Sequence, residues 1–172
     1  MIQAADSPSP RRIKLRPPRL PEDVVVRPRL LARLNRMAAL SLIVAPAGYG
    51  KTTLVGNWLL QTTLPFAWLA LDDSDNDPAM FLAGLVAALA TIYAGFGADI
   101  LASLGAPQSV PFADLATRLI NELNDRADEF ILVLDDYHAI RQPQIHQLLV
   151  DLVAYPPRGM HLVITSRHDP PR

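Results

Sequence analysis

Nine residues, Ala45–Thr53, have the composition and order of a phosphate-binding loop. The run reads APAGYGKTT, follows a short apolar stretch and precedes an amphipathic one. Small residues let successive backbone N–H groups converge on phosphate oxygens, and a helix N-terminus adds a favourable dipole. Within the run, Lys51 is placed to contact β and γ phosphates, and the Thr52 hydroxyl is placed to bind Mg²⁺. Ala45 replaces the glycine that usually begins such a loop.

Two carboxylates follow a second apolar run, Phe130–Leu134. Ligands of open α/β folds bind at the carboxyl ends of the strands, which is where these acids would lie. Asp135 is predicted to hold Mg²⁺ through water, and Asp136 to orient or deprotonate an attacking water. An acidic pair after a strand is by itself as well explained by a solvated turn, so the interpretation depends on the loop upstream.

Weaker signals surround these two motifs. A further apolar run ends in Thr165-Ser166-Arg167, so either Ser166 or Arg167 could reach a γ-phosphate, and the alternative is a surface arginine. The acidic stretch Asp72–Asp77 lacks the central glycine and distant glutamate of a calcium loop, which favours a solvated loop whose last residue caps a helix. The four histidines have no metal-ligand spacing.

Apolar periodicity predicts strands that alternate with helices, the pattern of a doubly wound parallel α/β sheet. Each predicted strand is apolar throughout, as strands buried on both faces are. A Gly-rich break is predicted at 95–105, between two helices. The strands are predicted at 40–45, 66–71, 130–134 and 161–165, and the helices from Pro28, at 52–61, at 79–94, around 112–123 and after Pro143.

Length and composition indicate one soluble globular domain. The chain has 172 residues, of which half are hydrophobic and 19% are charged. It contains no cysteine, which excludes a disulfide scaffold, a zinc-thiolate site and a cysteine nucleophile. The uncharged stretch 79–98 is long enough to span a bilayer, but its many Ala and Gly residues favour a buried helix. With no apolar secretory signal at the start, a cytoplasmic protein without a membrane partner is expected.

The net charge of −1 conceals a basic N-terminal segment. Residues 1–36 contain nine basic and three acidic residues, so the remainder is acidic overall. Residues 1–21 form a basic, Pro-rich arm, and residues 22–172 form the domain. The arm has three interpretations: a flexible tail, a nucleic-acid contact, or a strap packed on the body. No aromatic residue lies among its arginines, which disfavours base stacking.

Four segments in this order, APAGYGKTT, WLALDDSDNDPAMF, LVLDDYH and VITSRHDPP, resemble the nucleotide-binding domain of STAND-class ATPases. Together with LRPPRLPEDVVVRPRLLARL they are most similar to the MalT-like large ATP-binding LuxR-type transcription regulators. The resemblance implies a P-loop NTPase sheet of order 5-1-4-3-2. Four strands are visible, so the fifth is expected to be missing, which would leave the phosphate-loop strand at an open edge.

The resemblance also implies roles for individual residues, with ATP or ADP and Mg²⁺ as cofactors. Asp135 and Asp136 become the Walker B pair, Arg167 a sensor arginine, and Thr52 with Asp135 the Mg²⁺ site. Arg27 and Pro28 would lie near the adenine. The phosphate-binding residues would be Ala47, Gly48, Tyr49, Gly50, Lys51, Thr52 and Thr53.

Members of this family are signal-responsive switches. By the resemblance, the ADP form is closed and monomeric, whereas inducer with ATP favours a form that self-associates and activates transcription. Hydrolysis would be slow, and DNA would be bound only through a C-terminal domain that these 172 residues lack.

Two other classes of function stay open. A free-standing P-loop ATPase or small-molecule kinase is one, although the stretch between the second and third strands has only two arginines, Arg118 and Arg126, for a lid. Nucleic-acid binding through the basic arm is the other, and it would be weak and salt-dependent.

Overall fold

Four parallel strands form one sheet at the centre of the described chain, residues 10–169 of this computed structural model. The strands are β1 (Leu40–Val44), β2 (Phe66–Ala70), β3 (Phe130–Asp135) and β4 (Met160–Ser166). Their order is β1-β4-β3-β2, so β1 and β4 are neighbours although they are distant in sequence. This order confirms the doubly wound arrangement and agrees with the 1-4-3-2 part of the expected order.

Helices cover both faces of the sheet and create two apolar cores. The helices are α1 (Pro28–Leu34), α2 (Lys51–Leu59), α3 (Pro78–Ala90), α4 (Ala98–Leu104), α5 (Phe112–Asn124) and α6 (Pro143–Ala154). On one face, α1 and α2 enclose a core that contains Trp58. On the other, α3, α5 and α6 enclose a larger core that contains Phe81 and Phe130. Three 3₁₀ turns, Arg12–Leu15, Asp73–Asn76 and Tyr137–Ala139, complete the elements.

The central strand β3 shows why the apolar runs predicted strands buried on both faces. Its side chains alternate, with Ile131 and Val133 in the smaller core and Leu132 and Leu134 in the larger one. Because the side-chain period of a strand is two, a strand that is apolar at every position must be covered on both sides. The covered strand then delivers its last residue, Asp135, to the carboxyl edge of the sheet.

The predicted burial fails for β1, which lies at the edge of the sheet formed by residues 10–169. Leu42 and Val44 are 42% and 40% exposed. An edge strand has a neighbour on one side only, so its apolar sequence does not ensure burial. The phosphate-loop strand is thus at an edge, as the resemblance implied.

The region 79–105 departs from the prediction in two ways. Helix α3 ends at Ala90 rather than at residue 94, and the expected break at 95–105 contains helix α4. Gly97 adopts a left-handed conformation (φ 67°) immediately before α4, and Ile100 of that helix is buried. A glycine with positive φ can redirect the chain between two helices, so glycine here marks a helix boundary instead of a loop.

The arm is described from Pro10 onward, and residues 1–9 lie outside the described part of the chain. The 3₁₀ turn Arg12–Leu15 packs against β2, and Leu15 joins the larger core. Leu20 packs on α2, where its Cδ2 atom lies 3.0 Å from the position of a Cβ built on Gly56. Residues 12–20 therefore form a strap across the body. Within residues 10–169, no helix combines the length and apolar composition needed to cross a bilayer.

Candidate phosphate-binding site

The phosphate-loop sequence connects the end of β1 to the start of α2. Gly48 and Gly50 have φ angles of 80° and 74°, in the left-handed region that side chains with a Cβ disfavour. Gly50 caps α2, whose first residue is Lys51. The loop residues are exposed, and they stand at the N-terminus of a nine-residue helix. Free backbone N–H groups and the helix dipole together favour an anion at this position.

Lys51 lies inside the loop. Its Nζ atom donates hydrogen bonds of 2.7 Å to the Ala45 carbonyl and 3.1 Å to the Pro46 carbonyl. The residue is only 8% exposed. A buried ammonium held by two neutral carbonyls places a concentrated positive charge next to the loop amides. This arrangement suits an anion with several oxygens, which is what the sequence predicted.

Thr52, the residue after Lys51, contacts Asp135. The Thr52 hydroxyl lies 2.9 Å from Asp135 Oδ1 and 3.0 Å from Oδ2, so it donates to this carboxylate. Asp135 is 4% exposed, and this burial raises its pKa, while the hydroxyls of Thr165 and Thr52 act in the opposite direction. Hydroxyl and carboxylate oxygens are ligands that Mg²⁺ prefers. The structure thus brings together the two residues that the sequence assigned to one metal.

Thr165 of β4 is the contact that sequence reasoning missed. Its hydroxyl donates a 2.6 Å hydrogen bond to Asp135 Oδ1 and accepts one of 3.0 Å from the Asp136 backbone N–H. The strand register explains this position, because Leu134 pairs with Ile164 and the next residues of both strands are therefore neighbours. The sequence does show a hydroxyl residue at the end of the fourth apolar run, but Thr165 becomes a neighbour of Asp135 only because β4 lies next to β3 in the sheet.

The surroundings of Asp136 differ from those of Asp135. It has a left-handed backbone (φ 59°), which is uncommon for a residue other than glycine and is often found at functional sites. Its side chain is 45% exposed, and Oδ1 lies 3.7 Å from His138 Nδ1. Burial lowers the pKa of His138. The acidic pair therefore consists of a buried carboxylate, Asp135, beside Thr52 and an accessible carboxylate, Asp136, that water can reach.

The end of β4 supplies the remaining predicted residues. Ser166 is buried, and its hydroxyl donates to the His168 carbonyl at 2.5 Å. Arg167 is exposed beside it, at the same edge of the sheet as Asp135. Its charge is one of those that lower the pKa of His138. Thr52 and Thr165 are the residues whose side chains donate hydrogen bonds to Asp135 within residues 10–169. The sensor role of Arg167 stays a prediction.

A cavity of about 350 Å³ adjoins the loop on the side of α1. Arg27 and Leu34 line one wall, and Tyr49 and Lys51 line another. Pro28 begins α1 next to Arg27, and Thr53 lies half-buried in the first turn of α2. Of the two residues predicted near the adenine, Arg27 lines this cavity and Pro28 does not, and the adenine position stays a prediction.

Comparison with known proteins gives this arrangement a family context. The chain is 38% identical to the HTH-type transcriptional regulator MalT of Cronobacter sakazakii over 157 residues, which is 90% of this chain. Similar values hold for MalT of Serratia proteamaculans (38% over 158 residues) and of Vibrio cholerae (38% over 160 residues). This is a MalT-like domain. It spans 17% of the length of those MalT proteins. No protein-family model matches the chain.

The MalT-like domain also resembles a solved structure, Cdc6p from Pyrobaculum aerophilum. The two agree with a TM-score of 0.61 at 16% identity over 90% of this chain and 42% of Cdc6p. Identity this low bears on the fold alone, and it supports a P-loop NTPase fold for the MalT-like domain.

Proposed function

We propose that this chain is the ATP- and ADP-binding switch module of a signal-responsive LuxR-type transcription regulator, and that it hydrolyses ATP slowly. The observation that carries the proposal is the contact of Thr52 with Asp135 beside the buried ammonium of Lys51. The similarity to MalT regulators supports the regulatory context. The fold supports a nucleoside triphosphate as the ligand.

The binding role follows from charge and donors. A nucleotide's phosphates carry several negative charges, and the loop offers backbone N–H groups, a helix N-terminus and the Lys51 ammonium. The cavity beside Arg27 and Tyr49 has room for the nucleoside part. Thr52 and Asp135 would hold Mg²⁺, which when bound neutralises phosphate charge.

Hydrolysis would depend on Asp136. This carboxylate is the exposed member of the pair and adjoins the Mg²⁺ ligands, so it can accept a proton from an attacking water. We propose slow turnover because the similarity is to transcriptional regulators. A switch benefits from slow turnover, since each nucleotide state then persists.

In a regulator that contains this module, the nucleotide state would control self-association. DNA binding would belong to another domain of such a protein. The 172-residue chain is accordingly proposed to sense nucleotide and to leave promoter recognition to other parts.

Titration with fluorescent ATP and ADP analogues, with and without Mg²⁺, tests the proposal. We expect saturable binding of both nucleotides that Lys51→Ala weakens at least tenfold. Arg158→Ala removes a positive charge just before β4, at the other end of the sheet, and should leave binding unchanged. Binding that survives Lys51→Ala would overturn the proposal. Turnover of many ATP molecules per second would favour a free-standing ATPase, and transfer of phosphate to a small molecule would favour a kinase.

A further inference from the structure

The strap, residues 12–20, is anchored on the two opposite faces of the sheet. At its start, Leu15 packs into the larger core. At its end, Leu20 packs against Gly56 of α2, the helix that follows the phosphate loop. The residues between these anchors must therefore cross the carboxyl edge of the sheet near Thr52 and Asp135.

Lys14 fixes the strap to the acidic loop that precedes α3. Its Nζ atom lies 2.5 Å from Asp75 Oδ2 and 3.1 Å from Asp72 Oδ2. Asp75 is 1% exposed, so the prediction of a solvated loop is wrong at this residue, whereas the last residue of the loop, Asp77, caps α3 as predicted. A buried carboxylate needs a paired cation, because an unpaired charge in the interior is strongly destabilising. Lys14 is consequently a firm attachment and not a surface contact.

A cavity of about 590 Å³ lies between the strap and the site. Arg16 and Arg19 line it on the strap side, and Thr52, Asp135 and Asp136 line it on the other. Both arginines are exposed, and among residues 10–169 neither guanidinium is part of an ion pair. Two available cations thus face the residues that would hold Mg²⁺.

We propose that the strap closes the phosphate end of the nucleotide site and that Arg16 and Arg19 bind the terminal phosphate of a nucleoside triphosphate. This rests on the proposed nucleotide binding and adds a way to distinguish ATP from ADP. Guanidinium groups form charge-assisted hydrogen bonds with phosphate oxygens. A diphosphate lacks the terminal phosphate, so these contacts favour the triphosphate state selectively, as a switch requires.

The acidic loop also connects the strap to the segment after Asp136. Asn76 donates a 2.8 Å hydrogen bond to the Ala139 carbonyl and accepts one of 2.6 Å from the Arg141 backbone N–H. The loop that holds Lys14 therefore holds the turn that carries Asp136 as well. A phosphate bound by the strap would therefore also affect the turn that carries Asp136, because the acidic loop contacts both segments.

The test compares the affinities of the intact chain for Mg-AMP-PNP and for Mg-ADP by titration calorimetry. For Arg16→Ala/Arg19→Ala we expect at least a tenfold loss for AMP-PNP and less than a twofold change for ADP. The control Arg11→Ala/Arg158→Ala removes two exposed arginines that do not line the cavity, and it should change neither affinity by more than twofold. Circular dichroism establishes that all variants are folded.

A second measurement examines strap closure directly. Trypsin can cleave between Arg19 and Leu20 when the strap is released, so AMP-PNP should slow this cleavage and ADP should not. Lys14→Met/Asp75→Asn removes the cation of the anchor together with the charge of its buried partner, and cleavage should then be fast with either nucleotide.

The outcomes separate the two proposals. If the wild-type chain binds neither nucleotide, the proposed function fails. If it binds both, and the Arg16→Ala/Arg19→Ala variant keeps the wild-type ratio of the two affinities, the strap proposal is overturned while nucleotide binding stands.

Discussion

The Thr165 hydroxyl donates a 2.6 Å hydrogen bond to Asp135, the carboxylate that also accepts a hydrogen bond from Thr52. Two hydroxyls from different elements therefore hold one buried carboxylate. Burial raises the pKa of Asp135, and both hydroxyls oppose that rise by stabilising the ionised form. The metal-binding form of this side chain thus depends on a residue of the neighbouring strand.

Thr165→Val should weaken Mg²⁺-dependent nucleotide binding. The substitution keeps the shape of the side chain and removes the hydroxyl, so the ionised form of Asp135 loses a donor. A hydrogen bond to a charged group contributes about 1.5–3 kcal/mol, which corresponds to a loss of at least about tenfold in apparent Mg²⁺ affinity. Mg²⁺ titrations at fixed nucleotide measure this, and Thr165→Ser, which keeps the hydroxyl, is the control. Equal Mg²⁺ affinities for the Val and Ser variants would contradict the expected role.

Asp136→Asn should separate hydrolysis from binding. Asparagine tolerates the left-handed backbone at this position, so the local fold is retained. It cannot accept a proton from water, and loss of a general base costs about 100-fold or more in rate. Single-turnover hydrolysis should fall by that factor, whereas nucleotide affinity should change less than twofold. Unchanged hydrolysis would remove Asp136 from the mechanism.

Gly97→Ala should destabilise the protein more than Gly95→Ala. Both glycines have positive φ, so each substitution introduces similar backbone strain. A Cβ at Gly97 would lie 2.5 Å from Val86 Cγ1, whereas a Cβ at Gly95 has no neighbour within 4 Å. The added overlap should cost a further ~1–3 kcal/mol, measured as the difference in the free energy of unfolding by urea. Equal losses of unfolding free energy in the two variants would contradict this expectation, because Val86 and α3 would then have moved away from the added Cβ at no cost in stability.

Acid should destabilise the protein partly through His146. Burial lowers the pKa of His146 below its ordinary value, so the folded state favours the neutral ring, which contacts the Tyr137 hydroxyl. The stability that this provides is present above the ordinary pKa of about 6.5 and is lost as pH falls through the folded-state pKa. Between pH 7 and 5, the free energy of unfolding should fall less steeply in His146→Gln than in wild type. His168→Gln, at an exposed position, is the control, and parallel curves for His146→Gln and wild type would contradict the assignment.

Much of the site could be read from local patterns. The run Ala45–Thr53 lies where β1 ends and α2 begins, and Asp135 ends β3. Apolar runs of four to six residues report burial on both faces, so they locate central strands reliably. The same reasoning fails for β1, because an edge position is a property of the sheet and not of the strand. It also misses α4, since the glycines of the range 95–105 favour a break between helices.

The amino-acid sequence by itself determined the phosphate loop, the acidic pair and the alternation of strands and helices, because each depends on residues within one short segment. The tertiary structure alone decided that Thr165 holds Asp135 and that Lys14 fastens the arm to Asp75. These pairs are separated by 30 and 61 residues, and only strand order and a buried charge bring them together. Of the three interpretations of the arm, the strap describes residues 12–20, because Lys14 pairs with the buried carboxylate of Asp75 and Leu15 and Leu20 pack on the body.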